Sequence, residues 1–216
     1  MQERYKSGAQ IMKRLLLFVS LHLFLFLLVF AYHAQADDYE WSIDDYDNMV
    51  VASVPGKIIH GDKLRFVLTK GDCNYVNVLF SFLTFNLPKK INDLEGKRIP
   101  IKINEDEVLA AADVVLIYPT LDNRAHFIML TAPQVYELNN FSEGIMASYN
   151  AHKNYSIELM DDEKFEYTKY FDVSLNEWDL EKYPEKINLA REKCLEDVIS
   201  DIKLSSNKLR NKLAVY

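Results

Sequence analysis

The chain has 216 residues, with 32 acidic side chains against 25 Lys and Arg and a net charge of −7. A chain this acidic is a poor match for phosphate backbones or anionic lipid surfaces, and no basic cluster with interleaved aromatics offsets it, so nucleic acid is not an expected partner. Its six glycines fall in no GxGxxG or Walker pattern, which leaves no phosphate-cradling loop.

The N-terminus reads as an address. Met12-Lys13-Arg14 is a basic head, Leu15–Ala31 is an apolar run of 17 residues, and Ala34-Gln35-Ala36 is a small-x-small site before Asp37-Asp38. This pattern predicts a secretory signal over residues 1–36, with Met12 as an alternative start and cleavage between Ala36 and Asp37. An uncleaved anchor is the competing reading, because 17 apolar residues lie at the low edge of a spanning helix. The expected location is periplasmic or extracellular, with no stable membrane insertion after cleavage. Residues 1–36 hold four bases (Arg4, Lys6, Lys13, Arg14) and one acid (Glu3), so the mature part carries −10.

Residues 37–48 are expected to form an acidic N-terminal tail. Asp37–Asp47 holds six acids and no base, with Tyr39, Trp41 and Tyr46 among them. A solvated tail is the bland reading; an arm whose aromatics pack on the domain is the sharper one. A calcium loop is disfavoured, since the stretch lacks the required glycine and terminal glutamate. A single β-rich domain with a C-terminal helix is then expected over 49–204.

Met49–Val54 is a short strand candidate stopped by Pro55-Gly56, and His60-Gly61-Asp62 is a turn. Lys63–Phe85 is the most strand-like stretch of the chain. Leu64, Phe66 and Leu68 alternate with Arg65, Val67 and Thr69, Lys70-Gly71-Asp72 makes a turn, and Asn74–Phe85 reads as a longer strand. Its apolar face is Val76, Val78, Phe80, Phe82 and Thr84. Arg98–Ile103 is a half-buried strand in which Pro100 suggests an edge position. Val114–Tyr118 and Ala125–Thr131 form a candidate hairpin, with Glu107–Ala112 open between helix and strand. Gln134–Leu138, Ile145–Tyr149, Tyr155–Met160 and Phe165–Leu175 complete the strand candidates, and Asn139–Gly144 is a loop.

At the C-terminus the period changes. Pro184 suits a first helical position, and Ile187, Ala190, Cys194, Leu195, Val198 and Ile202 recur every three or four residues, which predicts an amphipathic helix of about 20 residues. Residues 205–216 form a basic tail. The predicted fold is mainly β, an antiparallel sandwich or squashed barrel with this helix packed on it.

Cys73 and Cys194 are the only cysteines. In an exported chain an even pair reads first as a disulfide, and the model of loop entropy puts such a long closure at roughly 5 kcal/mol. Free thiols are the alternative. A nucleophilic Cys73 served by a histidine such as His126 is conceivable, but nothing local supports it. His60, His126 and His152 have no partner at metal-ligand spacing. No Gly-x-Ser-x-Gly elbow occurs, and carboxylates are too abundant to single out a hydrolytic pair. No catalytic, cofactor or metal residue is therefore assigned. Asn140-Phe141-Ser142 and Asn154-Tyr155-Ser156 match the glycosylation acceptor pattern.

Tyr170-Phe171-Asp172-Val173-Ser174-Leu175 followed by Ala190-Arg191-Glu192-Lys193-Cys194 resembles the periplasmic proteins of the invasion-associated-locus-B type. These are signal-bearing β-sandwich proteins with a late strand, a short helix and a terminal cysteine. The resemblance covers mainly the last third of the chain; it implies a role in host or envelope interaction and transfers no functional residues. The expected function is that of an exported, non-enzymatic β-domain binding a protein or cell-envelope component. The alternative is a secreted hydrolase of unrecognised type.

Overall fold

The computed structural model describes residues 40–196 except residue 60, residues 89–90 and residues 105–107. The expected signal, its cleavage site at Ala36–Asp37, the basic tail and His60 lie outside the described residues. The fold is mainly antiparallel β: β1 (Ser42–Asp45), β2 (Met49–Pro55), β3 (Lys63–Thr69), β4 (Asp72–Thr84), β5 (Arg98–Ile103), β6 (Val108–Pro119), β7 (His126–Thr131), β8 (Tyr136–Glu137), β9 (Tyr155–Leu159) and β10 (Leu175–Trp178). Helix α1 is Leu138–His152, and helix α2 covers residues 183–196. The sheet is a single curled half-barrel, with strand order β1-β2-β3-β4-β7-β6-β5-β9-β10 and β8 attached to β4. Of the two predicted forms, the squashed barrel is the one that matches.

The central hairpin follows its alternation. Leu64, Phe66, Leu68, Val76, Val78, Phe80, Phe82 and Thr84 are all buried. Lys70 and Gly71 make the turn, and the positive φ of 94° at Gly71 is the reason a glycine is needed there. The inner face of the sheet and the two helices enclose one core. Trp41 stacks on Phe66 at 5.8 Å, and Tyr183 meets Phe66 edge-on at 4.8 Å. From α2, Tyr183, Ile187, Ala190 and Cys194 are buried, so this part of the predicted apolar stripe faces inward; Leu195 is exposed, and Val198 and Ile202 lie outside the described residues.

Several expectations are corrected. The acidic stretch is not all tail: Ser42–Asp45 pairs with β2 as an edge strand and Trp41 is buried. Its aromatic packs on the domain, and its charges guard the sheet edge. Residues Val108–Pro119 are one strand, bulged between Val114 and Leu116, so the undecided alanines are β. Strand β5 is central rather than an edge, lying between β6 and β9. Pro100 is tolerated because the β9 ladder starts at Ile101, and only its carbonyl is used, by Met160 N–H.

The largest miss is α1. Asn139–Gly144, expected as a loop, and Ile145–Tyr149, expected as a strand, form one helix whose buried side chains, Leu138, Ile145 and Tyr149, recur at helical spacing; the candidate Gln134–Leu138 does contain a strand, β8. Glu137 caps it by accepting from Asn139 N–H and Asn140 N–H. The predicted late strand Phe165–Leu175 is a turn-rich crossing with a 3-10 turn at Tyr167–Lys169, and pairing begins only at Leu175.

Candidate functional site

On the outer face of β5, β9 and β10, side chains at alternate positions point away from the core. Lys102 lies directly opposite Glu158, Glu158 opposite Leu175, and Ser156 opposite Glu177. Together with Asn104, His152 and Asn154 they line a cleft of about 490 Å³. Polar residues alternate here because the buried partners on the same strands are Ile101, Tyr155, Ile157, Leu159, Asn176 and Trp178.

The cleft rim is fixed by hydrogen bonds. Asn104 has a positive φ of 54° just past β5. Its N–H donates to Ser156 O, its Oδ1 accepts from Ser156 N–H, and its Nδ2 donates to Ser148 Oγ on α1. His152 Nδ1 lies 2.9 Å from Ser148 O; a carbonyl only accepts, so the proton is on Nδ1. Lys153 ends α1 with a positive φ of 56° and turns the chain into Asn154, whose Oδ1 accepts from Lys57 Nζ at 3.3 Å. The result is a rigid surface with one ammonium, two carboxylates, amides and a hydroxyl. It is suited to hydrogen-bonding a polar ligand, and no aromatic stacking platform lines it.

A second polar cluster is internal. Asp62, at the end of the β2–β3 loop, is fully buried. Its carboxylate accepts from Leu83 N–H and from Asn176 Nδ2, the latter at 2.7 Å. Asn176 Oδ1 in turn accepts from Ile58 N–H at 3.1 Å and Glu177 N–H at 2.8 Å, while Lys57 N–H donates to Glu177 O. The β2–β3 loop is thereby stitched to β10. Burial pushes the Asp62 carboxyl up to about 7, against the pull of the Asn176 and Leu83 donors and the Arg65 charge. Gly56 is required here, since a Cβ would come within 2.4 Å of the Asn176 amide. Both Asp62 oxygens are engaged by donors, so the cluster reads as a structural seam. In the sequence Pro55-Gly56 marks only the stop of a strand and His60-Gly61-Asp62 only a turn; an acid closing a turn before an apolar strand is the one available signal.

The other predicted residues are placed as follows. Cys73 and Cys194 form a disulfide, with Cα atoms 5.9 Å apart and no free thiol left. The thiol version of the hydrolase is thereby removed, because a disulfide sulfur is not a thiolate. His126 pairs with Thr84 at the far end of β4 from Cys73, roughly 35 Å along the strand. Asn140 is exposed in the first turn of α1, and Asn154 lies in the cleft. Among the described residues no group of three or more His, Cys, Asp or Glu is placed to hold a metal ion, and no helix is long and apolar enough to cross a membrane. No family model, curated protein or solved structure matches the chain.

Proposed function

We propose that this protein is an exported, non-enzymatic binding domain whose ligand is a protein or a cell-envelope component, held at the polar cleft of β5, β9 and β10. The observation that carries the reading is the cleft itself. Charges of both signs, amides and a hydroxyl are set in sheet register around about 490 Å³ of open space. Such a surface offers fixed donors and acceptors to a polar ligand, so its selectivity is one of hydrogen-bond pattern. The disulfide suits an oxidising compartment and supports the exported setting. The resemblance to envelope-associated periplasmic proteins points the same way.

The test is capture. The purified, oxidised protein is immobilised and exposed to envelope extract, beside a Lys102→Ala, Glu158→Ala double variant of unchanged melting temperature. Capture of a defined component, weakened at least roughly tenfold by the double variant, is expected. No capture, or equal capture by both proteins, counts against the proposal.

A further inference from the structure

The sheet has a split. Strand β7 pairs with β6 only as far back as Thr131, opposite Asp113, whereas β6 continues beside β5 to Val108. Two residues beyond Thr131 stands Pro133, which has no N–H to give to β6. Ala132 N–H still donates to Val78 O of β4, and the chain then rejoins β4 as β8. Among the described residues, no strand pairs with that side of β6 before Asp113.

Which groups face the split follows from the ladder. Val114 N–H donates to Lys97 O and Val114 O accepts from Gly96 N–H, so Val114 faces the β5 side. Peptide groups alternate along a strand, so Ala112 and Ala110 also face β5, while Ala111 turns its N–H and C=O into the split. Pro100, opposite Ala111, is consistent, because its carbonyl points away to Met160. Neither ladder described for β6 supplies Ala111 with a partner: the pairing with β7 begins at Asp113, and Pro100, opposite Ala111 on β5, has its carbonyl turned to Met160 N–H.

Beside this edge lies an apolar pocket of about 120 Å³. Ala110 and Ala132 make room for it, Ile103, Tyr136 and Phe141 form its half-buried rim, and Tyr155 lies deeper. Its size is close to that of cavities of about 150 Å³ that admit a benzene ring. It suits one branched or ring-sized side chain and is too small for an acyl chain.

We propose that the split is a docking site for an extended segment of a partner protein, which pairs with Ala111 as an added strand and seats one apolar side chain in the pocket. The two features require each other in such a ligand. The residue opposite Ala111 exchanges both backbone hydrogen bonds, and its neighbour, whose side chain points to the opposite face, faces inward beside Ala110. A free apolar molecule would fill the pocket but leave Ala111 unpaired. A second copy pairing edge to edge through β6 would offer only alanines to the pocket. The site is separate from the polar cleft and does not rest on it.

The probe is a blocked pentapeptide, acetyl-Lys-Thr-X-Thr-Lys-amide, with X as Leu, Phe or Gly, plus a Leu form N-methylated at both threonines. Binding to the full ¹⁵N-labelled protein is read by chemical-shift titration and by exchange of the Ala111 amide. Without peptide this amide should exchange freely, and the Leu peptide should slow it at least roughly tenfold. The Gly and N-methyl peptides should bind roughly tenfold or more weakly, as should the Leu peptide to Ala132→Leu. The proposal is overturned if no peptide binds at millimolar concentration, if the N-methyl or Gly form binds equally, or if the shifts map away from β6. An Ala111 amide already protected in the free protein, or protected by raising protein concentration alone, overturns it as well.

Discussion

The curl of the sheet is closed on two sides by opposite chemistries. Where α2 lies on the sheet, the closure is apolar and covalent: Tyr183, Ile187 and Ala190 bury against a core that includes Trp41 and Phe66, and Cys194 is bonded to Cys73. Where the β2–β3 loop meets β10, the closure is a buried hydrogen-bonded seam of Asp62, Asn176 and three backbone N–H groups. The first tolerates shifts in geometry, because dispersion and area are non-directional, but depends on an oxidising environment. The second is indifferent to redox state but depends on each donor meeting its acceptor and on one proton.

Removing the covalent half should have the largest effect. Replacing both cysteines by alanine releases a loop spanning 121 residues and should cost about 5 kcal/mol on the loop-entropy account. Urea unfolding of the oxidised protein and the double variant measures it directly, and the pH profile of the two should run parallel.

The polar half should carry that profile. The folded Asp62 carboxyl stands at about 7 against 3.8 for the free side chain. An acid raised on folding makes the native state bind its proton more tightly than the unfolded chain does. Its contribution is therefore complete below pH 3.8 and is lost as pH rises through about 7. The step is on the order of 4 kcal/mol. The urea midpoint should fall between pH 4 and pH 8, and Asp62→Asn should flatten that slope; an unchanged slope in the variant would place the titrating group elsewhere.

Asn176→Ala tests the seam at fixed pH. It removes the side-chain partner of Ile58 N–H, of Glu177 N–H and of one Asp62 oxygen and should cost about 3 kcal/mol. The loss should be greater above pH 7, where Asp62 is charged, than at pH 5. Equal losses at both would mean that Asn176 acts through packing alone.

The two halves also differ in how far they could be read from sequence. The covalent side was legible: two cysteines behind an expected export signal, a three-four apolar stripe around Cys194, and strict alternation at Leu64–Leu68 and Val76–Thr84. The seam was not, because Asn176 lies 114 residues from Asp62 and no local pattern marks a hydrogen bond made across a barrel. Helix α1 was misread for a different reason. Phe141, Ile145 and Tyr149 are strand-favouring types, and Gly144 and several Asn and Ser residues weaken a helix. Spacing was the true signal, and packing against β4 and β8 overrules the strand preference of these residue types. In the cleft, the alternating strand residues could be placed on an outer face. Their convergence with His152 and Asn154 depended on the misread helix.

The contact between Gly56 and Asn176 links two positions that local sequence keeps apart. Any side chain at 56 falls on the space that the amide at 176 occupies. Divergence at either position is therefore conditional on the other. Among relatives of this chain, a residue larger than glycine at 56 should coincide with a smaller one at 176 and with loss of the acid at 62. The three positions would vary as a single unit, and the presence or absence of that unit would separate descendants that keep the polar closure from those that have replaced it.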